Sequence, residues 1–187
     1  MARAVTLETP RLILREFADD DATAVHAYAA DAEVVRHLDW GPNTPEDTVQ
    51  FLAMARATRD AVSRTAYHLA IVLQAAGRLV GGCRIEIRSL ANESGDVGYV
   101  LDRQVWGQGY ATEATRALVG FGFESLALHR IWATCDVHNA ASARVLEKLG
   151  MRQEGYLRHN VRRKGEWRDS YLYAIIEPDW RGGSAPR

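Results

Sequence analysis

The chain has 187 residues, with 23 Lys and Arg against 24 Asp and Glu, for a formal net charge of −1. Hydrophobic residues make up 47% and charged residues 25%, the composition of a globular protein with a buried core, which excludes wholesale disorder. The balanced charge excludes a dedicated nucleic-acid binder, no apolar run reaches the ~18 residues of a membrane helix, and residues 1–10 lack the apolar stretch of a secretory signal.

In chain order, residues 11–17 (Arg-Leu-Ile-Leu-Arg-Glu-Phe) read as a short strand after Pro10. Asp19, Asp20 and Asp21 place three acids at the positive end of a helix over 22–30. Residues 33–42 are irregular, broken by Trp40-Gly41-Pro42. Thr44-Pro45-Glu46-Asp47 supplies an N-cap, a proline at the first helical position and an acid three residues after the cap, predicting a helix to about residue 60. Residues 67–73 and 79–87 flank a turn containing Gly77 and predict a hairpin. A strand over 96–101 puts Val97, Tyr99 and Leu101 on one face. Next come a helix over 111–126, a strand over 130–137, and a helix over 142–149 stopped by Gly150. Two strands at 152–160 and 167–176 complete one domain over 1–180, and 181–187 reads as a frayed tail. The pattern is mixed α/β: a mostly antiparallel sheet flanked by helices, parallel only where a helix crosses between neighbouring strands.

Cys83 and Cys135 stand far apart in strand-like segments. They read as core residues in a reducing cytoplasm, not as a disulfide or a nucleophile. The six histidines show no His-x-x-x-His spacing and there is no Cys-x-x-Cys pair, so no metal site is expected.

Residues 101–114 (Leu-Asp-Arg-Gln-Val-Trp-Gly-Gln-Gly-Tyr-Ala-Thr-Glu-Ala) carry the most chemistry. A strand ends, a Gly-x-Gly-x-Ala-Thr loop follows, and a helix begins. Loop amides and the helix N-terminus then face one concavity, which binds phosphate oxygens without a lysine. A glycine-rich turn with no ligand is the competing reading. The loop lacks the third glycine of a dinucleotide fingerprint and the Gly-Lys-Ser/Thr of a P-loop, so a nucleoside triphosphate is not expected.

Thr9-Pro10-Arg11-Leu12-Ile13-Leu14-Arg15, Gly98-Tyr99-Val100-Leu101, Trp106-Gly107-Gln108-Gly109-Tyr110-Ala111-Thr112-Glu113-Ala114, and Asn139-Ala140-Ala141-Ser142 with Leu149-Gly150-Met151 occur together over about residues 9–180. In this combination the chain resembles the GCN5-related N-acetyltransferase (GNAT) superfamily, and within it the ribosomal-protein N-terminal acetyltransferase (RimJ/RimL-like) branch. The resemblance implies an acyl-CoA acyltransferase fold splayed between its fourth and fifth strands, with acetyl-CoA as co-substrate and no metal. Backbone groups of Val100 and Leu101 would pair with the pantetheine arm. The amides of Gly107, Gln108, Gly109, Tyr110, Ala111 and Thr112 would take the pyrophosphate, and Asn139 would hydrogen-bond the pantetheine. The superfamily loop often opens with Gln or Arg where Trp106 stands, a departure that leaves the amide contacts intact.

The implied reaction is attack of a neutral amine on the thioester. A base at the start of the fourth strand would be Asp96 or Glu93, with a solvated turn carboxylate as the competing reading. The glutamate some members of the branch use in the sixth strand is Val161 here. Many superfamily members place an acid tyrosine in the last helix where this chain has Leu146. The branch uses the serine of its Asn-x-x-Ser motif, which Ser142 matches, although Ser142 and Asn139 also read as a first-turn residue and an N-cap. Trp40, Trp167, Asp169 and Tyr171 would line the acceptor side, and Arg162-Arg163-Lys164 reads as a solvated turn. The implied acceptor is the α-amine of a protein. The alternatives are a small amine (polyamine, aminoglycoside or amino acid) or a non-catalytic acyl-CoA sensor. Nucleic acid and membrane are not expected partners, and a homodimer is left open.

Overall fold

The helix starts follow their sequence signals. Thr44 Oγ1 accepts from the Asp47 amide at 3.1 Å, and Asp47 Oδ2 accepts from the Thr44 amide at 2.9 Å, a reciprocal cap that contributes on the order of 1 kcal/mol. Asn139 Oδ1 likewise accepts from the Ser142 amide at 3.0 Å.

The computed structural model describes residues 4–182. Its elements are β1 (Thr6–Glu8), β2 (Leu12–Glu16), α1 (Ala22–Ala29), α2 (Pro45–Asp60), β3 (Ala66–Leu73), β4 (Arg78–Ser89), β5 (Ser94–Leu101), α3 (Tyr110–Glu124), β6 (Arg130–Asp136), α4 (Ala140–Lys148), β7 (Arg152–Arg163), β8 (Glu166–Ile176) and α5 (Glu177–Arg181). All eight strands form one sheet in the order β1-β2-β3-β4-β5-β6-β8-β7. Neighbours are antiparallel except β5 and β6, which α3 joins in parallel.

The sequence reading misses β1 and α5. A three-residue strand offers too few positions for alternation to register. In α5 the proline falls in the first turn, where it is tolerated, and the helix takes in Arg181, which the sequence reading places in the tail. The rest of that tail, 183–187, lies outside the described residues. Because β1 adds a strand, the splay expected between the fourth and fifth strands falls between β5 and β6.

Alternation on the central strands divides the core between two faces. Leu12, Leu14, Leu69, Ile71, Ile85 and Ile131 pack with Leu118 of α3 and Leu146 of α4. On the opposite face Ala70 and Val72 pack with Val25 of α1, Leu52 of α2 and Val35 of the segment between them. Each fully buried Leu, Ile or Val contributes roughly 1.5–3 kcal/mol relative to exposure.

Parallel pairing of β5 with β6 covers only Ser94–Arg130, Gly95–Ile131 and Asp96–Trp132. Gly95 is required there, since a Cβ would lie 2.6 Å from the Glu86 carbonyl oxygen. At Gly98, beyond the paired stretch, the nearest atom would be Arg84 Nε at 3.5 Å. Gly95→Ala is therefore expected to lower stability by about 1–3 kcal/mol through overpacking, while Gly98→Ala changes it by less than about 0.5 kcal/mol. Thermal unfolding of the two variants checks the difference.

Candidate active site

Beyond Asp96 the two strands part. On its other side β5 stays paired with β4 as far as Leu101, and β6 stays paired with β8 from Arg130 to Asp136. Both walls of the resulting wedge are thus held from outside, while the inner edges of Val97–Leu101 and Ala133–Asp136 face a cleft with no strand between them.

The loop from β5 to α3 closes one end of this cleft. Gly109, the N-cap of α3, has φ +82° and supplies no side-chain cap. The first main-chain bond of the helix runs from the Glu113 amide to the Gly109 carbonyl at 3.0 Å. None of the six amides from Gly107 to Thr112 has an acceptor among the described residues. Unpaired donors at a helix N-terminus, next to a left-handed glycine, form an anion cradle.

Side chains from elsewhere hold the cradle in place. The Glu113 carboxylate accepts from Thr9 Oγ1 at 2.7 Å, the Arg11 amide at 3.0 Å and Arg11 Nε at 2.6 Å. Arg11 also donates to the Gln108 carbonyl at 3.0 Å and lies 4.5 Å from the centre of the Tyr110 ring. The Thr-Pro-Arg stretch before β2 is therefore a brace for a loop about a hundred residues later in the chain. Trp106 donates from its indole to the Leu101 carbonyl at 2.8 Å, latching the loop to the end of β5. That carbonyl is thus already engaged.

Across the cleft, Tyr99 of β5 meets the start of α4. Its hydroxyl lies 2.9 Å from Ser142 Oγ and 3.2 Å from the Ser142 carbonyl. Burial pushes the Tyr99 phenol up, only partly offset by the bond to Ser142, so it stays protonated at neutral pH. The sequence puts Tyr99 on one strand face with Val97 and Leu101; its pairing with Ser142 is visible only once β5 and α4 are brought together. Burial likewise pushes the Cys135 thiol to about 11 and raises Cys83 further, in keeping with core thiols rather than nucleophiles.

Other candidate residues fall differently. Asp96 is 4% exposed and sits at the vertex of the wedge. One of its oxygens pairs with Arg84 at 2.7 Å and the other with Arg88, which commits it to the sheet rather than to a base's task. Glu93 is at the closed end, its carbonyl accepting from the His129 amide at 2.7 Å. Asp169 accepts from the His159 amide at 2.8 Å and from the Tyr156 hydroxyl. It pins the bulge in which Leu157 and Val161 pair with Ser170 and Arg168, so it is not a free attractant for a cation. Trp167, Asp169 and Tyr171 alternate onto the α3–α4 face, where Tyr171 packs on the core. The segment carrying Trp40 packs on the other face through Leu38. The structure does not gather these four residues.

A cavity of about 600 Å³ lies on that other face, beside the end of β6. Asp136, 5% exposed, forms its floor and pairs with Arg163 at 2.9 Å. Arg163 is thus no solvated turn residue; its side chain is only 14% exposed. His37 Nδ1 approaches Asp136 at 3.8 Å. Burial and the guanidinium groups of Arg36 and Arg163 hold the imidazole below its usual value against the pull of Asp136, so it is neutral at pH 7. These residues come from segments about a hundred positions apart, and no motif announces them.

Glu113 gives the brace a pH signature. Burial by itself would raise its carboxyl, but the bonds from Thr9 and Arg11 outweigh burial and hold it below its unfolded value of 4.5. A carboxyl lowered on folding contributes stability above its unfolded pKa, and that contribution is lost as pH falls through the folded pKa. Glu113→Gln should cost about 1 kcal/mol at pH 7, because half-exposed Arg11 weakens the ion pair. Denaturant unfolding at stepped pH should show the gap from wild type narrowing below 4.5 and closing once the wild-type carboxyl is protonated.

Comparison with known proteins agrees with this geometry. Residues 11–152 match the Acetyltransferase (GNAT) domain family. The chain is 33% identical over 174 residues to the Uncharacterized N-acetyltransferase YnaD of Bacillus subtilis, covering 93% of this chain and 98% of that one. Among solved structures it is similar to the ribosomal-protein-S5-alanine acetyltransferase of Vibrio fischeri, with TM-score 0.76, 27% identity, and coverage of 94% of this chain and 98% of that one. It is similar also to Mycobacterium smegmatis RimJ in complex with CoA-disulfide, with TM-score 0.81, 26% identity, and coverage of 94% and 88%. The parted sheet, the amide cradle and these matches together make the chain a member of the GNAT family of N-acetyltransferases, an enzyme that transfers an acetyl group.

Proposed function

We propose that this enzyme moves the acetyl group of acetyl-CoA onto the α-amine of a protein N-terminus. The observation that carries the reading is the row of six acceptor-free amides at the mouth of a cleft spanned by Tyr99 and Ser142. The residues present fit the co-substrate. Amides 107–112 suit a diphosphate, and the unpaired inner edge of β5 beyond Asp96 suits an extended pantetheine arm. Asn139 spends its Oδ1 on capping α4 and keeps its amide NH₂ for the arm. The complex of a RimJ relative with CoA-disulfide supports a CoA thioester as the donor.

Acetyl-CoA supplies an activated thioester. The chain's own groups hold the proton at the departing sulfur: the Ser142 hydroxyl faces the cleft and the protonated Tyr99 phenol fixes its orientation. An alkyl thiol such as that of cysteine has a pKa of about 8.5, so an acid at the departing sulfur assists rather than decides. An α-amine with pKa about 7.7–8.0 is partly neutral at pH 7, whereas a lysine at about 10.4 is almost wholly protonated. With Asp96 tied to two arginines, an acceptor that needs no strong base fits best. Similarity to an S5-alanine acetyltransferase points the same way. Polyamines and aminoglycosides are disfavoured if the acceptor enters beside the cavity at the end of β6, whose lining carries Arg36, Arg163, Lys164 and Arg168 against Asp136 and Glu166.

Acetyl-CoA should raise the melting temperature and ATP should not; equal shifts would undo the donor assignment. By calorimetry Gly109→Val should weaken CoA binding at least about tenfold, since a β-branched residue resists positive φ. Ser142→Ala should act mainly on turnover, lowering it by about tenfold to a hundredfold in a thiol-release assay with N-terminal peptides.

A further inference from the structure

We propose that the cavity beside the end of β6 is a carboxylate-binding subsite that selects acceptors bearing an acid close to the amine. The inference rests on the acceptor reading above and deepens it.

Charge comes first. Four cations, Arg36, Arg163, Lys164 and Arg168, line the cavity with only two acids, Asp136 and Glu166. Arg163 neutralises Asp136 at 2.9 Å, and Arg168 neutralises Glu166 at 2.6 Å. Arg36 pairs with Glu33 at 3.0 Å. Lys164 has no ion-pair or hydrogen-bond partner among the described residues. The cavity therefore holds a surplus of positive charge.

A second, independent observation concerns buried donors left without acceptors. Three buried side-chain polar atoms lack a partner among the described residues; one, Nε, belongs to Arg163, which lines this cavity, and a second, Ser170 Oγ, lies beside Asp136 in the sheet. Ser170 is 1% exposed and pairs with Asp136 in the β6–β8 ladder, so it shares the face of Asp136. Buried polar groups in native proteins are almost always satisfied, so an orphan donor on a residue that also lines a cavity calls for an acceptor there, from water or from a ligand. A carboxylate answers both features, accepting hydrogen bonds and balancing the surplus charge.

Position completes the argument. Asp136 ends β6, His138 lines the cavity, and Asn139 and Ser142 follow at the start of α4. A carboxylate held there keeps the acceptor on the β6 side of the cleft, beside the segment that leads into α4. The acid could be the side chain of the second residue of a peptide or the α-carboxylate of a free amino acid.

The test uses the full-length enzyme with acetyl-CoA, following thiol release. Acceptors are three peptides identical but for Asp, Ala or Lys at the second residue, and free glutamate. We expect kcat/KM for the Asp peptide to exceed that for the Ala peptide about tenfold and that for the Lys peptide by more, with the ratios shrinking as salt is raised. Lys164→Gln and Arg168→Gln, both near the exposed tip of the hairpin, should each reduce the Asp-to-Ala ratio severalfold, and their circular dichroism shows whether the fold is kept. Peptides acetylated at equal rates, or with the Lys peptide preferred, would overturn the subsite and leave the transferase reading standing. Acetylation of free glutamate but of no peptide would keep the subsite and overturn the protein-acceptor reading.

Discussion

Everything at the active site depends on one interrupted ladder. Two parallel strands pair at three positions and then separate, although each remains fully bonded to its outer neighbour. Exposed main-chain edges inside a sheet are costly unless something pairs with them. Here outer pairing keeps the walls in place, and the Tyr99–Ser142 bond ties them together at the point where chemistry is proposed. Asp96, gripped by two arginines, marks where joined sheet gives way to open cleft. It steadies the vertex.

The cradle divides its tasks between backbone and side chains. Main-chain amides face the concavity, and glycine at a left-handed angle lets them converge. Side chains keep the loop in that shape from behind: Glu113 gathers Thr9 and Arg11, Arg11 reaches the Gln108 carbonyl, and Trp106 fastens the loop to β5. Flexible glycine-rich loops gain little from free amides unless they are held in one conformation.

What the sequence makes legible is short in range. The Thr44 cap, the Gly109 helix start, the Asn139 cap and the helix ending at Gly150 depend on residues within a few positions of one another, and each is found where local chemistry puts it. The order of strands and helices follows for the same reason. What stays hidden is what the sheet brings together. Asp96 reads as a free carboxylate because Arg84 and Arg88 enter from the neighbouring strand. Asp169 reads as an attractant because the bulge it pins is a matter of register. Arg163 lies in a basic run that looks solvated until Asp136 meets it from β6. Trp106, an apparent departure from the superfamily loop, has a physical reason only when its indole is seen against Leu101.

The sheet also separates two surfaces of different character. The Tyr99–Ser142 pair belongs to the side covered by α3 and α4, while Asp136 and Arg163 face the side covered by α1 and α2. The first surface meets its ligand through peptide groups, and its side chains, Glu113, Arg11 and Trp106 among them, are committed to holding those groups in place. The second is assembled from the connection between α1 and α2 and from a hairpin tip, where substitution is cheap. On the acceptor reading proposed above, one half of such a molecule is conservative by construction and the other is free to be retooled, so that a lineage could exchange one clientele for another without relearning how to hold its fuel.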